Sequence, residues 1–302
     1  MSAIKEAYIM FNGQKVVAQY DEKTKTWTAT TNAPANSSWS QPDHVYKVEI
    51  CAVDAANNQA TMTSADPTYG DQLKIRVLEK SKPTATIVSP TQGSVLGASE
   101  QDIVLEMSDA GGSGLNETTV VFTVNGKSHA GDLSFTNYES KRRATYHATG
   151  LNDGQNTITF RVTDNDGNVS ELATTTFVVS TTAPSLTINI PTEGLITNSN
   201  RLKVTGSTTP GSDAVTIANV VVNGASVKLS GDRTKTFFRD ITLAEGENTI
   251  TVVSTDSIGK VTTVVRQVTL DTKAPVITDV VAEATTVDSG GTIKITFKVI
   301  DA

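Results

Sequence analysis

The sequence predicts an all-β protein, and three observations carry that prediction: a β-branched composition, short strand-length apolar runs, and an internal repeat. Thr (47) and Val (33) make up about a quarter of the 302 residues, while Met, Cys and His together number eight. β-Branched side chains lose χ1 freedom in a helix and pack well on a pleated surface, so this usage favours strands. No window reads as an amphipathic helix of several turns. Apolar residues recur along the whole chain, which argues against disorder. The longest uninterrupted apolar runs are about five residues, against roughly 20 for a bilayer span, so no membrane insertion is expected.

The repeat sets the order of the elements. LNDGQNTITFRVTDNDGN at 151–168 returns as LAEGENTITVVSTDSIGK at 243–260, and VYKVEICAVDAANN at 45–58 echoes the second half. Each copy reads as an alternating strand followed by an Asp-led turn, which aligns Asp54, Asp164 and Asp256. A second landmark is a strand ending in Asn-Gly: MFNGQ at 10–14, TVNGK at 123–127 and VVNGA at 221–225. Asn and Gly tolerate φ > 0, so this dipeptide between alternating runs signals a two-residue hairpin. The third landmark is a proline-bearing opening strand: SKPTATIVSP from Ser81, TAPSLTINIP from Thr182 and KAPVITDVV from Lys273. Proline suits a first or edge strand, where no ladder donor is needed.

These landmarks keep their order and divide the chain into 1–81, 82–182, 183–273 and 274–302. A full unit is then about 90–100 residues with roughly seven short strands, which matches an immunoglobulin-like sandwich. The linkers are a few residues long and contain proline rather than a Gly/Ser tract, so the expected architecture is a rod-like tandem array. Units two and three each open with two strands before the Asn-Gly strand. Unit one starts directly at IKEAYIMFNG, and 274–302 holds only the opening pair, APVITDVVAE and GGTIKITFKVIDA. The second strand of that pair alternates, with Ile293, Ile295, Phe297 and Val299 on one face and Lys294 and Lys298 on the other. An isolated pair cannot bury its apolar face. Three readings stay open: the chain is part of a longer one, the pair completes unit one of a neighbouring copy, or it docks on another partner. Closure onto unit one of the same chain is disfavoured, because three rigid units would have to fold into a tight ring.

Composition and motifs exclude several functions. The net charge of −7 and pI near 5.1 oppose a nucleic-acid partner, where basic residues must neutralise phosphate. Lys141-Arg142-Arg143 reads as a solvated loop, and lone Cys51, in VEICAV, as a buried strand thiol. His44, His129 and His147 have no nucleophile partner at a recognisable spacing, so no enzyme is expected. No cofactor is expected, with one weak candidate. DNDGN resembles the start of a calcium loop, with Asp164, Asp166 and Asn168 at alternate positions, but no Glu follows at the required spacing. A plain turn is the competing reading, since Asx side chains bond their own backbone. Six of the sixteen aromatics fall in the first 46 residues, including both tryptophans. Trp27, on TKTWTAT, is expected in the core of a shortened domain, and Trp39, in the loop NSSWSQPDH, at an interface.

The opening, IKEAYIMFNGQKVVAQYDEKTKTWTATTNAP followed by VYKVEICAVDAANN, resembles Ig-like-domain proteins encoded in tail modules of phages of Firmicutes. Those proteins pair an Asn-Gly strand with a Tyr/Trp-bearing hairpin and a VxxxAxDxAGN segment. The end, VVAEATTVDSGGTIKITFKVID, is similar to their C-terminal module. Two departures stand out: Ala56-Asn57-Asn58 replaces AGN, and Ala284-Thr285-Thr286 replaces the usual Asn-Pro stretch. Units two and three resemble generic bacterial Ig-like repeats of adhesins and glycosidases. The resemblance implies a structural or adhesive virion component of a tail or baseplate. Its implied partners are other tail proteins, copies of itself, or a host-surface glycan or protein. No secretory signal is visible at MSAIKEAYIMFNG, which fits release by lysis. The alternative is a bacterial cell-surface adhesin or a carbohydrate-binding accessory region.

Overall fold

The computed structural model describes residues 3–301. Its described residues form two compact units: the chain up to Ser94 with Ser99–Val178, and Val95–Ala98 with everything from Val179 on. Nearly all regular structure is strand, as the composition predicts, and among the described residues the only helical pieces are single 3₁₀ turns. Among the described residues no helix is long and apolar enough to cross a membrane.

The first unit holds two modules. In the first, one sheet runs Gln14–Val17, Ile4–Phe11, Tyr46–Asp54, Gln59–Met62, with Lys74–Ile75 also paired to Tyr46–Asp54. A short hairpin, Gln19–Asp21 with Thr26–Thr28, forms a separate two-stranded sheet. The second module is a complete sandwich. One sheet runs Ser134–Tyr138, Lys141–Ala148, Gln101–Ser108, Thr84–Ser89, and the facing sheet is built on Leu115–Val124, Gly154–Asp164 and Ala173–Val179.

In the second unit the same plan returns. One sheet runs Ser185–Ile190, Arg201–Thr209, Lys235–Thr242, Leu229–Ser230. The other is built on Val261–Leu270, Gly246–Asp256 and Ile217–Val222, and Leu195–Thr197 joins it parallel to Val261–Leu270. Such a strand, leaving the first sheet to run parallel to the last strand of the second, needs a long crossover and closes the sandwich. Beyond it lies the antiparallel pair Val276–Ala282 and Ile295–Ile300.

The two repeats that organise the sequence act as locks at turns. Asn12-Gly13, Asn125-Gly126 and Asn223-Gly224 all have φ between +44° and +79°, the left-handed pair a two-residue hairpin requires. Asn125 Oδ1 accepts from Thr157 N and Asn223 Oδ1 from Thr251 N, each at 2.8 Å, so the turn also grips the neighbouring strand. The Asp-led turns share one geometry. Asp54 Oδ1 accepts from Ala56 N and Asn58 N, and Asp256 Oδ1 from Ile258 N and Lys260 N. In LNDGQNT and LAEGENT, Asn156 and Asn248 each donate to two turn carbonyls.

Packing grades along the chain. Ile103, Leu105, Phe122, Ile158, Phe160 and Val162 of the second module are fully inaccessible, as are Val204, Val220, Ile250, Val252 and Val268 of the third. Each such burial stabilises by about 1.5–3 kcal/mol. The first module has a smaller cluster of Phe11, Tyr46, Val48, Leu73 and Val77. On the terminal pair, Ile277, Val280, Ile293, Ile295, Phe297 and Val299 are all more than half exposed.

Candidate functional site

The residues expected as one ion-binding loop are divided by the fold. Asp164 begins its turn as its counterparts do: Oδ1 accepts from Asp166 N (2.9 Å) and Asn168 N (2.8 Å), and Oδ2 from Asn168 Nδ2 (2.8 Å). Asp166 and Asn168 do not converge on a shared point with it. Asp166 Oδ2 accepts from Glu79 N at 3.1 Å, while Asn168 Nδ2 donates to Glu79 O at 3.1 Å. The DNDGN turn is therefore a socket for the backbone of residue 79, the link between the first two modules. A loop whose acceptors are spent on its own amides and on a linker has the geometry of a structural turn.

Asp164 instead faces two carboxylates from elsewhere. Glu79, Asp109 and Asp164 each bring one oxygen into a set lying within 4.8 Å of one another. Backbone donors hold all three in place, Asp164 as already described. Asp109 accepts from Gly111 N (2.9 Å) and Gly114 N (2.7 Å), and Glu79 from Ser81 N and the Ser113 hydroxyl. Gly111 admits the Glu79 carboxylate because it has no side chain; a Cβ there would lie 2.0 Å from Glu79 Oε2. Burial first, and then the neighbouring Asp164 carboxyl, pushes Glu79 above the usual carboxylate range. Burial also works to raise Asp164, but the side-chain and backbone donors of Asn168 outweigh it and hold Asp164 below its ordinary value. Chemically, Glu79 and Asp164 can share a proton, and a cation between the modules would have Glu79, Asp109 and Asp164 as its carboxylate donors. Sequence spacing missed Glu79 and Asp109 because they lie far from the turn in the chain.

The two tryptophans are placed differently from each other. Trp39 sits in the 3₁₀ turn Ser38–Ser40, capped by Ser37 Oγ, and is half-buried with its ring stacked on His44 at 4.0 Å and 11°. Ser38 fastens that loop, donating its backbone N to Val77 O while its hydroxyl accepts from Val77 N. Trp27 is the correction: it is 39% exposed, on the short hairpin, beside Tyr20 with ring centroids 5.0 Å apart. Its strand is present, paired only with Gln19–Asp21 among the described residues. Ile293, Ile295, Phe297 and Val299 lie on the outermost segment, exposed as described above.

The other titratable groups serve the sheets. Lys141 and Arg143 both bond Glu106, and Arg142 bonds Glu117, so the basic run is spent on strand-to-strand ion pairs rather than left free in a loop. His147 and Asp102 are cross-strand neighbours bonded at 2.6 Å, which raises the imidazole above its ordinary value. Cys51 is buried at 3% exposure.

Two family models match separate stretches of the chain. The bacterial Ig domain model matches residues 83–160, and the glucodextranase domain B model matches residues 184–272. The second and third modules are immunoglobulin-like in fold. Bacillopeptidase F of Bacillus subtilis (strain 168) is 27% identical over 181 residues, 59% of this chain but 12% of that protein. The chain thus spans a small part of the curated relative it matches. Among solved structures, the fibronectin(III)-like modules of Clostridium thermocellum CbhA match 62% of this chain and 94% of theirs, at 19% identity and TM-score 0.36. The Bacteroides ovatus glucan-utilisation protein SGBP-B, solved with a mixed-linkage heptasaccharide, matches 93% of this chain and 63% of its own, at 12% identity and TM-score 0.22.

Proposed function

We propose that the chain is a non-catalytic structural and adhesive array, in which Ig-like modules set distance and present surfaces. The observation that carries this reading is the use made of the polar groups. The Asp and Asn side chains of the repeated motifs lock turns, and the carboxylate, guanidinium and imidazole groups of the second module tie strands to each other. Catalysis needs acid, base and nucleophile to converge on a space for substrate. The groups named here are engaged in architecture, which supports the reading.

Placement on a phage tail or baseplate is the finer part of the proposal, and it rests on the resemblance of the two ends of the sequence. The partners would then be tail proteins and a host-surface glycan or protein. A second reading has its own support. Both named matches, glucodextranase domain B and Bacillopeptidase F, take their names from enzymes, which fits an accessory region carried beside a catalytic domain. Immunogold labelling with antibody against residues 82–273 separates the two. Tail labelling on particles released by lysis is the expected result. Label confined to the walls of uninfected cells would contradict it and favour the accessory or adhesin reading. Turnover of cell-wall polymers by the purified chain, lost on a single substitution, would overturn the non-catalytic reading itself.

A further inference from the structure

The second and third modules put different side chains in the same place. Their opening pairs, Thr84↔Ser108 and Ser185↔Thr209, set Leu105 in the position of Gly206. The next strand follows, so Ala144 corresponds to Phe237 and Tyr146 to Arg239. The Asn-Gly turns likewise align Phe122 with Val220 and His129 with Val227. In the second module the Tyr146 ring lies 5.5 Å from Phe122 and 4.6 Å from His129, so three rings pack together. In the third module two of these rings are valines and the third is an arginine. A cavity of about 460 Å³ opens there, lined by Val227 and Arg239.

Arg239 is built into this cavity. Alternation along Lys235–Thr242 sets it on the same side as buried Phe237. From there Nη1 reaches the other sheet and donates to the carbonyls of Val222 and Ala225, which flank the Asn223-Gly224 turn. Those two bonds fix the guanidinium plane. They leave the N–H groups of Nε and Nη2 without a protein partner among the described residues. Lys228, exposed on the rim, adds a second cation with no ion-pair partner among the described residues. Phe238, also on the rim, carries the Lys203 ammonium over its ring at 4.4 Å. Ser226, Ser230 and Thr236 add hydroxyls. Among the described residues no Asp or Glu lines the cavity, in a chain of net charge −7.

We propose that this cavity binds an acidic sugar, with its carboxylate or phosphate held by Arg239 and Lys228 and its hydroxyls by Ser226, Ser230 and Thr236. An arginine held in one plane presents parallel N–H groups that match either oxyanion, and a lysine beside it adds a point charge. A neutral sugar offers the guanidinium no charged partner and gains less from the same donors. The volume lies within the range of small-ligand sites, roughly 300–1,000 Å³. The net negative charge of the chain repels polyanions in general, so the basic cavity confines such contact to one place. The proposal deepens the adhesive reading and rests on it, since it names the chemistry of the glycan bound.

The test uses the full chain and three hexose probes, glucuronate, glucose 6-phosphate and glucose, titrated while backbone amide shifts are followed by NMR. At least one of the two acids should shift the amides of 224–230 and 236–239 at millimolar concentration, and glucose should not. The acid with the larger effect tells whether the anion comes from a uronate or from a phosphate-bearing polymer. Arg239→Tyr, which copies the second module, should weaken binding at least about tenfold while circular dichroism is kept. The exposed Lys228→Gln should weaken it about threefold, and added salt should weaken it further. No shift with either acid overturns the proposal. So do equal shifts with glucose, or acid binding that both variants leave unchanged. Retention of the chain on purified cell walls separates the two levels of the reading. Retention that Arg239→Tyr leaves unchanged overturns the cavity and keeps the adhesive reading, whereas a wild-type chain that walls do not retain overturns both.

Discussion

The first and third modules carry the same landmarks and differ in what covers them. Phe237 is 4% exposed and its counterpart Trp27 is 39% exposed, on hairpins whose sequences agree over four positions but for the aromatic. Alternation decides which way a side chain points, but burial comes from a neighbouring strand that can lie far away in sequence. The same contrast appears in the cores. The third module closes around Val220, Val222, Ile250, Val252 and Val268, while the first leaves Ile9 and Phe11 lining an open groove.

Deleting a core ring should separate the modules most. Phe160→Ala in the closed second module is expected to cost about 3–5 kcal/mol, because its rigid surroundings cannot collapse into the cavity. Phe11→Ala, beside the groove, should cost no more than about 2–3 kcal/mol. Urea unfolding followed by circular dichroism and by tryptophan emission reads the two; equal costs would mean that the first module is as closed as the second.

The Asp-led turns grade the comparison next. Asp164→Ala orphans the amides of Asp166 and Asn168 in a buried turn and should cost about 2–4 kcal/mol. Asp54→Ala removes the same bonds where the turn is more exposed, so its loss should be smaller. A reversed order in the denaturation midpoints would break the argument from burial.

A gain is expected in the third module. Asp256 Oδ2 is buried without a partner, whereas Asp164 Oδ2 has the Asn168 amide, and Lys260 stands at the Asn168 position. Lys260→Asn should therefore stabilise by about 0.5–1.5 kcal/mol. An unchanged midpoint would show that the orphaned oxygen is satisfied in another way.

The smallest effect concerns pH. Lys141 and then Arg143 hold the Glu106 carboxyl below its ordinary range. A carboxyl lowered in the folded state contributes stability that is complete above its unfolded value and is lost as pH falls through the folded one. The second module should thus weaken on acidification below the ordinary glutamate range, and Glu106→Gln should flatten that slope. The third module carries Ser207 at this position and should lack this contribution.

Much of the fold was legible in the sequence. The Asn-Gly dipeptides gave the hairpins, since their positive φ is a local property of the residue types. The repeated Asp gave the turns. The site was less legible, because its contacts are not local. Nothing about Glu79 shows that its backbone fills the DNDGN turn, or that its carboxylate reaches Asp164. Trp27 alternates as a core residue does, and only the sheet order shows that it stands on a two-stranded hairpin. Trp39 reads as an exposed loop residue until Ser38 and His44 are seen to tie its turn down.

The account's central claim is that burial in these modules is set by the strands that flank a side chain and not by its local pattern. Residue-resolved hydrogen exchange of the full chain tests it most directly. Amides of 101–108 and 201–209, each flanked by two strands of its sheet, should be strongly protected, and those of 26–28, on a two-stranded hairpin, should exchange fast. Protection of 26–28 equal to that of the two flanked strands would contradict the claim.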